Sequence, residues 1–354
     1  MNEDDFSQHL LAWFDSYGRK DLPWQQNPTL YRIWISEIML QQTQVATVIP
    51  YYQRFIKRFP DLPALACASV DEVLGLWTGL GYYARARRLH QAARIVWETH
   101  EGKLPTTLEA LMELPGIGRS TGGAMLALAL DQRHPILDGN VKRVLIRQEA
   151  IEHWPGQPKV EKQLWQRATT LLPQTRLADY TQAIMDLGAT VCTRYRPRCP
   201  SCPVKETCQA HLQANPEAYP QPRPRKRLPL RTTCMLILLN DQGEVLLERR
   251  PPTGIWGGLW SFPECPSQTE AAPWCQEQLG WPLGEVQNWP SLRHHFTHFT
   301  LDIQPVVARI RGESRQVMEP NGRVWYKMEP LYKRGLPAPI LRLLKRLREQ
   351  SKGE

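Results

Sequence analysis

Four cysteines packed close together constrain this chain more than any other feature. Cys192, Cys199, Cys202 and Cys208 follow the spacing C-x6-C-x2-C-x5-C, so four thiols fall within 17 residues. Thiolates so spaced can enclose one metal centre, and soft sulfur suits either Zn2+ or an iron–sulfur cluster. A disulfide framework is disfavoured, because Met1 to Gln8 carries acids rather than the basic start of an export signal. Cys67, Cys234, Cys265 and Cys275 have no such spacing and read as ordinary free thiols.

A chain of 354 residues exceeds one ordinary core, so two domains are expected. Nothing approaches the roughly 20 apolar residues of a membrane span, and the expected location is the cytoplasm, with the nucleoid. The net charge of +9 favours a polyanionic partner such as a nucleic acid.

Apolar residues recur at helical spacing in Phe6, Leu10, Leu11 and Phe14, and again in Leu30, Ile33, Trp34 and Ile38. Segments 84–99, 107–114, 119–130 and 160–172 read alike, and no strand alternation appears before residue 230. Residues 216–231 form a Pro/Arg-rich linker whose prolines exclude helix. Beyond it, Thr232–Leu239, a turn at Asp241–Gly243 and Glu244–Glu248 read as a β-hairpin. Residues 255–262, 295–310 and 323–327 are expected strands, and Pro339–Glu349 a closing amphipathic helix. The second domain, 232–350, is therefore α+β.

Between two helical patterns lies Leu114-Pro-Gly116-Ile-Gly118-Arg-Ser120-Thr121. Two glycines one residue apart allow a tight turn and close backbone approach. A helix starting near Arg119 would present free N–H groups that bind phosphate. About 20 residues on, Asp138 precedes an amphipathic helix carrying Val141, Val144 and Leu145, where it can serve as an N-cap.

These strings resemble the helix-hairpin-helix family of base-excision DNA glycosylases, and within it the MutY-type adenine glycosylases. Leu22-Pro-Trp24, Trp34–Thr43, Gly79–Arg85 and Leu137–Val141 carry the likeness together with the hairpin and the cysteines. It extends from about Leu11 to Leu344. The resemblance implies an all-α helix-hairpin-helix glycosylase domain with an iron–sulfur module over 1–215. An α+β Nudix-like domain follows. It implies one [4Fe-4S] cluster on Cys192, Cys199, Cys202 and Cys208. Glu37, set among apolar neighbours, would be the general acid for adenine departure, because desolvation raises a carboxyl pKa. Asp138 would stabilise or trap the oxocarbenium-like sugar, helped by Asn140. Gln42 and Tyr82 match residues that wedge into the duplex beside the flipped base. Gly116, Gly118, Ser120 and Lys142 would contact the backbone.

Ser120 stands where strand-cleaving relatives place a lysine for Schiff-base chemistry, so a monofunctional enzyme is expected. Gly257–Glu264 resembles the start of a Nudix box, but Ala272, Pro273 and Gln276 replace later ligands and only Glu277 matches. Too few oxygens remain for catalytic Mg2+, and no pyrophosphatase activity is expected. Phe296, Thr297 and His298 match the loop that reads 8-oxoguanine, with Thr297 in place of serine. The expected substrate is duplex DNA with adenine opposite 8-oxoguanine or guanine. The expected form is a monomer, and repair or replication proteins are further possible partners. The rivals are an endonuclease III-like lyase, a non-enzymatic DNA sensor and a Nudix hydrolase; Ser120, the Glu37–Asp138 pair and the broken box respectively weigh against them.

Overall fold

Among the described residues, helical periodicity places twelve α-helices before the first strand. They are α1 (Glu3–Tyr17), α2 (Leu30–Leu40), α3 (Val45–Arg58), α4 (Leu62–Ala66), α5 (Val70–Trp77) and α6 (Ala84–Thr99). Then come α7 (Leu108–Met112), α8 (Arg119–Leu130), α9 (Gly139–Glu149), α10 (Pro158–Thr170), α11 (Leu177–Asp186) and α12 (Gln209–Leu212). The computed structural model describes residues 3–224, 228–311, 322–327 and 334–351. The expected linker, the C-terminal domain and the first residues of the helical domain therefore each extend partly outside the described residues. Among those described, no helix is long and apolar enough to cross a membrane.

The chain divides into two units, Met1–Cys67 with Arg88–Arg225, and Ala68–Arg87 with Lys226–Glu354. In the first, Phe6, Leu10 and Phe14 lie four residues apart on α1 and so share one face. They join a core with Val141, Val144 and Leu145 of α9 and Tyr180, Ala183 and Ile184 of α11. Gly123 of α8 makes a close approach possible, since a Cβ there would stand 2.9 Å from the Pro135 carbonyl oxygen. That contact sets the Pro135–Asp138 segment against the hairpin helix. Tyr219 closes this core.

No regular element forms from Gln221 to Pro229 among the described residues. The sheet then comprises β1 (Leu230–Leu239), β2 (Val245–Arg249), β3 (Trp260–Ser261), β4 (Glu264–Cys265), β5 (Leu283–Asn288), β6 (Leu292–His295), β7 (Thr300–Ile310) and β8 (Arg323–Tyr326). Two helices accompany it, α13 (Ala271–Leu279) and α14 (Ala338–Ser351). The path runs β3-β2-β1-β7-β5, with β4 on β1, β6 on β7 and β8 on β2. β1 and β7 are parallel; the other pairs are antiparallel.

Strand β1 is apolar throughout its second half because both faces are covered. Met235, Ile237 and Leu239 face a core with Ile340 and Leu344 of α14. Cys234, Leu236 and Leu238 face one with Ala271 and Cys275 of α13. Two expected strands are shorter than their patterns. In 255–262 only Trp260–Ser261 pairs, because Trp256 (φ 53°) and Gly258 (φ 73°) adopt left-handed backbone. The run 295–310 is broken by a turn at 296–299, closed by Phe296 N–H donating to the Phe299 carbonyl at 2.9 Å.

Residues 68–87 belong with the C-terminal unit through side-chain contacts that sequence order conceals. Tyr83 donates its hydroxyl to the Leu336 carbonyl at 2.7 Å, and Asp71 pairs with Arg249 at 3.2 Å.

Candidate active site

The hairpin turn requires glycine at position 116. Gly116 has φ 88°, and a Cβ there would meet Arg88 Cβ at 3.0 Å. Gly118 is the N-cap of α8, with no side-chain cap on the first turn and open space where its Cβ would be. The first-turn N–H groups are thus uncapped by any side chain, the local condition for gripping a phosphate. Ser120 turns inward and accepts a hydrogen bond from Leu137 N–H at 3.0 Å. It ties the hairpin helix to the residue before Asp138, a positional role the sequence did not reveal.

Glu37 lies on α2, whose start Thr29 caps by accepting from Arg32 N–H at 3.2 Å. Its neighbours Ile33, Trp34, Ile35, Ile38 and Met39 are all buried. Loss of water pushes the Glu37 carboxyl up to about 8, and the charge of Asp138 adds to the rise. The two carboxyls are therefore close enough to feel each other.

Asp138 caps α9, accepting from Val141 N–H at 2.7 Å and from Asn140 Nδ2 at 3.2 Å. Desolvation raises its pKa, while these donors and the Arg143 guanidinium pull it back. The environments of the pair differ in kind. Glu37 is enclosed by hydrocarbon, and Asp138 is held by donors that favour its charged form. Burial raises both carboxyls, and at Asp138 the donors offset part of that rise.

Asn140 in turn accepts from Arg143 Nη2 at 2.9 Å. Arg143 also donates to the Gly188 carbonyl at 2.6 Å and the Cys192 carbonyl at 2.7 Å. A hydrogen-bonded path thus joins Asp138 to the first cysteine. Lys142 is held by Glu161 at 2.7 Å and is a quarter exposed.

Gln42 is exposed on the turn after α2 with φ 57°. Its neighbour Gln41 reaches Thr121 of the hairpin helix, Nε2 to Oγ1 at 3.3 Å. In the other unit, Tyr82 is 49% exposed at φ 49°, beside Gly79 and Gly81, with Arg85 stacked 5.4 Å from its ring. Non-glycine residues at positive φ carry strain, and such strain clusters where side chains are presented for function.

Cys192 ends a π-helical turn (Leu187–Val191), Cys199 begins a 3-10 turn and Cys208 caps α12. None is in a disulfide. Burial pushes the Cys202 thiol up to about 12, and Cys192, Cys199 and Cys208 raise it further. Four sulfurs within electrostatic reach of one another would be costly as bare thiolates; a cationic centre would offset that. Arg147 donates to Cys192 Sγ at 3.3 Å. Among the described residues, no three Cys, His, Asp or Glu side chains gather around a single ion. Four thiols within electrostatic reach of one another are the soft donor set that an iron–sulfur cluster or zinc takes.

Arg147 is buried and was not anticipated, although it falls three residues after Val144 on the apolar face of α9. It also donates to the carbonyls of Tyr219, Thr193 and Arg194 at 2.9, 2.7 and 3.1 Å. Arg147→Met is expected to cost about 3 kcal/mol, because it strands several buried acceptors at once. Urea unfolding followed by far-UV dichroism measures it.

In the C-terminal unit, Phe296 stacks on buried Phe299 at 4.4 Å and meets Trp256 at 5.7 Å and His294 at 4.7 Å. Arg231 lies over Phe299 at 4.8 Å. Thr297 and His298 stand exposed at the tip, Oγ1 to Nδ1 3.4 Å. Trp256 is an unanticipated member of this cluster. Glu264 is tied up by Arg250 at 2.5 Å, and Ala272, Pro273, Gln276 and Glu277 lie exposed on α13.

A helical domain centred on this hairpin is that of the base-excision DNA glycosylases. Residues 35–169 match the HhH-GPD superfamily of base excision DNA repair proteins, and 234–346 match the NUDIX domain. The chain belongs to the adenine DNA glycosylase family. It is 38% identical to the adenine DNA glycosylase of Buchnera aphidicola subsp. Acyrthosiphon pisum, covering 99% of both chains. It is 36% identical to the human adenine DNA glycosylase, over 92% of this chain and 71% of that one. Among solved structures, a thermostable thymine-DNA glycosylase superposes with a TM-score of 0.52 at 26% identity, over 60% of this chain and 97% of its own. An endonuclease III–DNA complex shares the fold over 60% of this chain and 98% of its own, with a TM-score of 0.52 at 18% identity. The protein is thus a DNA-binding base-excision repair glycosylase with a helical domain followed by a Nudix-like domain.

Proposed function

We propose that the protein hydrolyses the N-glycosidic bond of adenine opposite 8-oxoguanine, and opposite guanine, as a monofunctional enzyme. The observation that carries this reading is the Glu37–Asp138 pair, one carboxyl held protonated up to about 8 and the other caged by donors. Adenine leaves deoxyribose poorly as an anion. Glu37 protonates N7, which lets the base depart as a neutral molecule, and then takes a proton from the attacking water. The electron-poor sugar left behind is stabilised or trapped by the Asp138 carboxylate, while Asn140 keeps that carboxylate in place. The base must first leave the stack. Gln42 and Tyr82 enter the duplex as it does so, and the Gly116–Gly118 turn, Ser120 and Lys142 set the backbone register.

Cys192, Cys199, Cys202 and Cys208 are the residues that would hold a [4Fe-4S] cluster. When bound, it supplies the positive centre that compensates the four thiolates and fixes the 192–208 segment. Residues 1–215 carry the chemistry, 216–231 connect, and 232–350 read the opposite base without pyrophosphatase activity. In that domain Phe296, Thr297 and His298 contact 8-oxoguanine; the threonine keeps the hydroxyl of the usual serine.

Single-turnover adenine release from duplexes with A opposite 8-oxoguanine, G or C tests the substrate. Release fastest opposite 8-oxoguanine supports the reading; equal release opposite C overturns it. Phe296→Ala combined with Thr297→Ala is expected to erode the preference for 8-oxoguanine over guanine more than it lowers the maximal rate. An unchanged preference ratio would remove this loop from recognition.

A further inference from the structure

Cys234 and Cys265 lie far apart in sequence but face each other directly across the antiparallel pair of β1 and β4. Opposed residues in such a pair have Cα atoms about 4.5–5.5 Å apart, inside the roughly 4.4–6.8 Å that a disulfide spans. Both side chains point to the same face of the sheet, into the core with Leu236, Leu238, Ala271 and Cys275. Each is a free thiol, 2% and 6% exposed, and the Cys265 thiol donates to the Ser267 carbonyl at 3.4 Å. Strand β4 is only two residues long, so little pairing holds it against the shift that a covalent bond requires.

We infer that Cys234 and Cys265 form a covalent oxidation site, converted to an intrachain disulfide by peroxides and returned to thiols by low-molecular-weight thiols. Cys265 is the attacking sulfur. It is the more exposed of the two, and the neighbouring Cys234 thiol, aided by backbone N–H groups, lowers its pKa. Its thiolate attacks one oxygen of the peroxide, the O–O bond breaks and hydroxide leaves, so sulfur is oxidised to the sulfenic acid. The Cys234 sulfur then attacks the Cys265 sulfur and displaces a second hydroxide. The two thiol protons leave with the hydroxides, giving one disulfide and two waters from two thiols and one hydrogen peroxide.

The bond would pin the start of the α13 connection to the central strand β1. Because the link restrains the unfolded chain, the C-terminal unit should melt a few degrees higher when oxidised. This site is independent of the glycosylase chemistry, so its test stands apart from the activity assays.

The test treats the full-length protein anaerobically with hydrogen peroxide, quenches with catalase, and denatures in alkylating reagent. No Lys or Arg separates Cys265 from Cys275, so trypsin must be followed by cleavage after Glu270 to distinguish them. The expected product is a Cys234–Cys265 linked peptide in most chains, absent before treatment and lost on reduction. Cys275→Ala should retain the link. Cys234→Ala should leave Cys265 as a sulfenic acid that a dione reagent traps. Recovery of both thiols alkylated, when exposed Cys67 is fully oxidised, would overturn the inference, as would a Cys265–Cys275 link.

Discussion

Glu37→Gln is expected to slow single-turnover adenine release about a thousandfold or more, while duplex binding persists. Glutamine preserves volume and the buried position on α2 but cannot deliver a proton to N7. Because the carboxyl of the parent is pushed up to about 8, first by burial and then by Asp138, it is protonated at neutral pH. The parent rate should therefore be level through neutrality and fall as pH rises through about 8. The sign of the linked stability follows from the same shift. The folded chain holds a proton that the unfolded chain releases near 4.5, so that contribution is complete below 4.5 and lost as pH climbs through about 8. Glutamine has no proton to lose. The variant should thus be more stable than the parent at alkaline pH, even as its activity collapses. Stopped-assay rates and urea unfolding across pH check both halves. Near-parental release by the glutamine variant would sink the assignment of Glu37.

Parts of this arrangement were legible in the sequence because they depend on local backbone physics. The helix after the hairpin begins at Arg119 as expected, since Gly116 supplies the positive φ and Gly118 the extended N-cap. Segment 84–99 is helical over the same bounds, and the β1–β2 hairpin closes at Leu239 and Val245 around its Asp-Gln-Gly turn. Local pattern misled within 295–310, at 296–299. There Phe296 stacks back on Phe299 and closes a turn that interrupts the strand. Long-range placement was not legible at all. Nothing in residues 68–87 announces that Tyr83 will bond to Leu336, and strand register alone brings Cys234 to Cys265. The buried arginine of α9 is an intermediate case. Arg147 occupies an apolar-face position, a visible anomaly, but the carbonyls that satisfy it lie 46 to 72 residues away.

Asp138→Asn is expected to lower adenine release about a hundredfold or more, because a preorganised charge facing an electron-poor sugar is lost. The change is isosteric, yet its effects spread. Asp138 accepts from Val141 N–H on one oxygen and from Asn140 Nδ2 on the other. Asparagine has one acceptor to offer, so if it keeps the α9 cap its NH2 confronts the NH2 of Asn140. Turning Asn140 over relieves that clash but presents an NH2 to Arg143 Nη2, which now donates to Asn140 Oδ1 at 2.9 Å. One donor along the path to Gly188 and Cys192 is left unmatched in either case, and some thermal stability should go with it. The variant also reports on its neighbour. Without the Asp138 charge, desolvation alone holds up the Glu37 pKa, so the alkaline fall in the residual rate should move below that of the parent. The double variant with Glu37→Gln should be little slower than the worse single variant, since acid and anion serve one transition state. A strictly additive loss, with an unmoved pH profile, would mean that the two carboxyls act separately and that Asp138 is only the cap of α9.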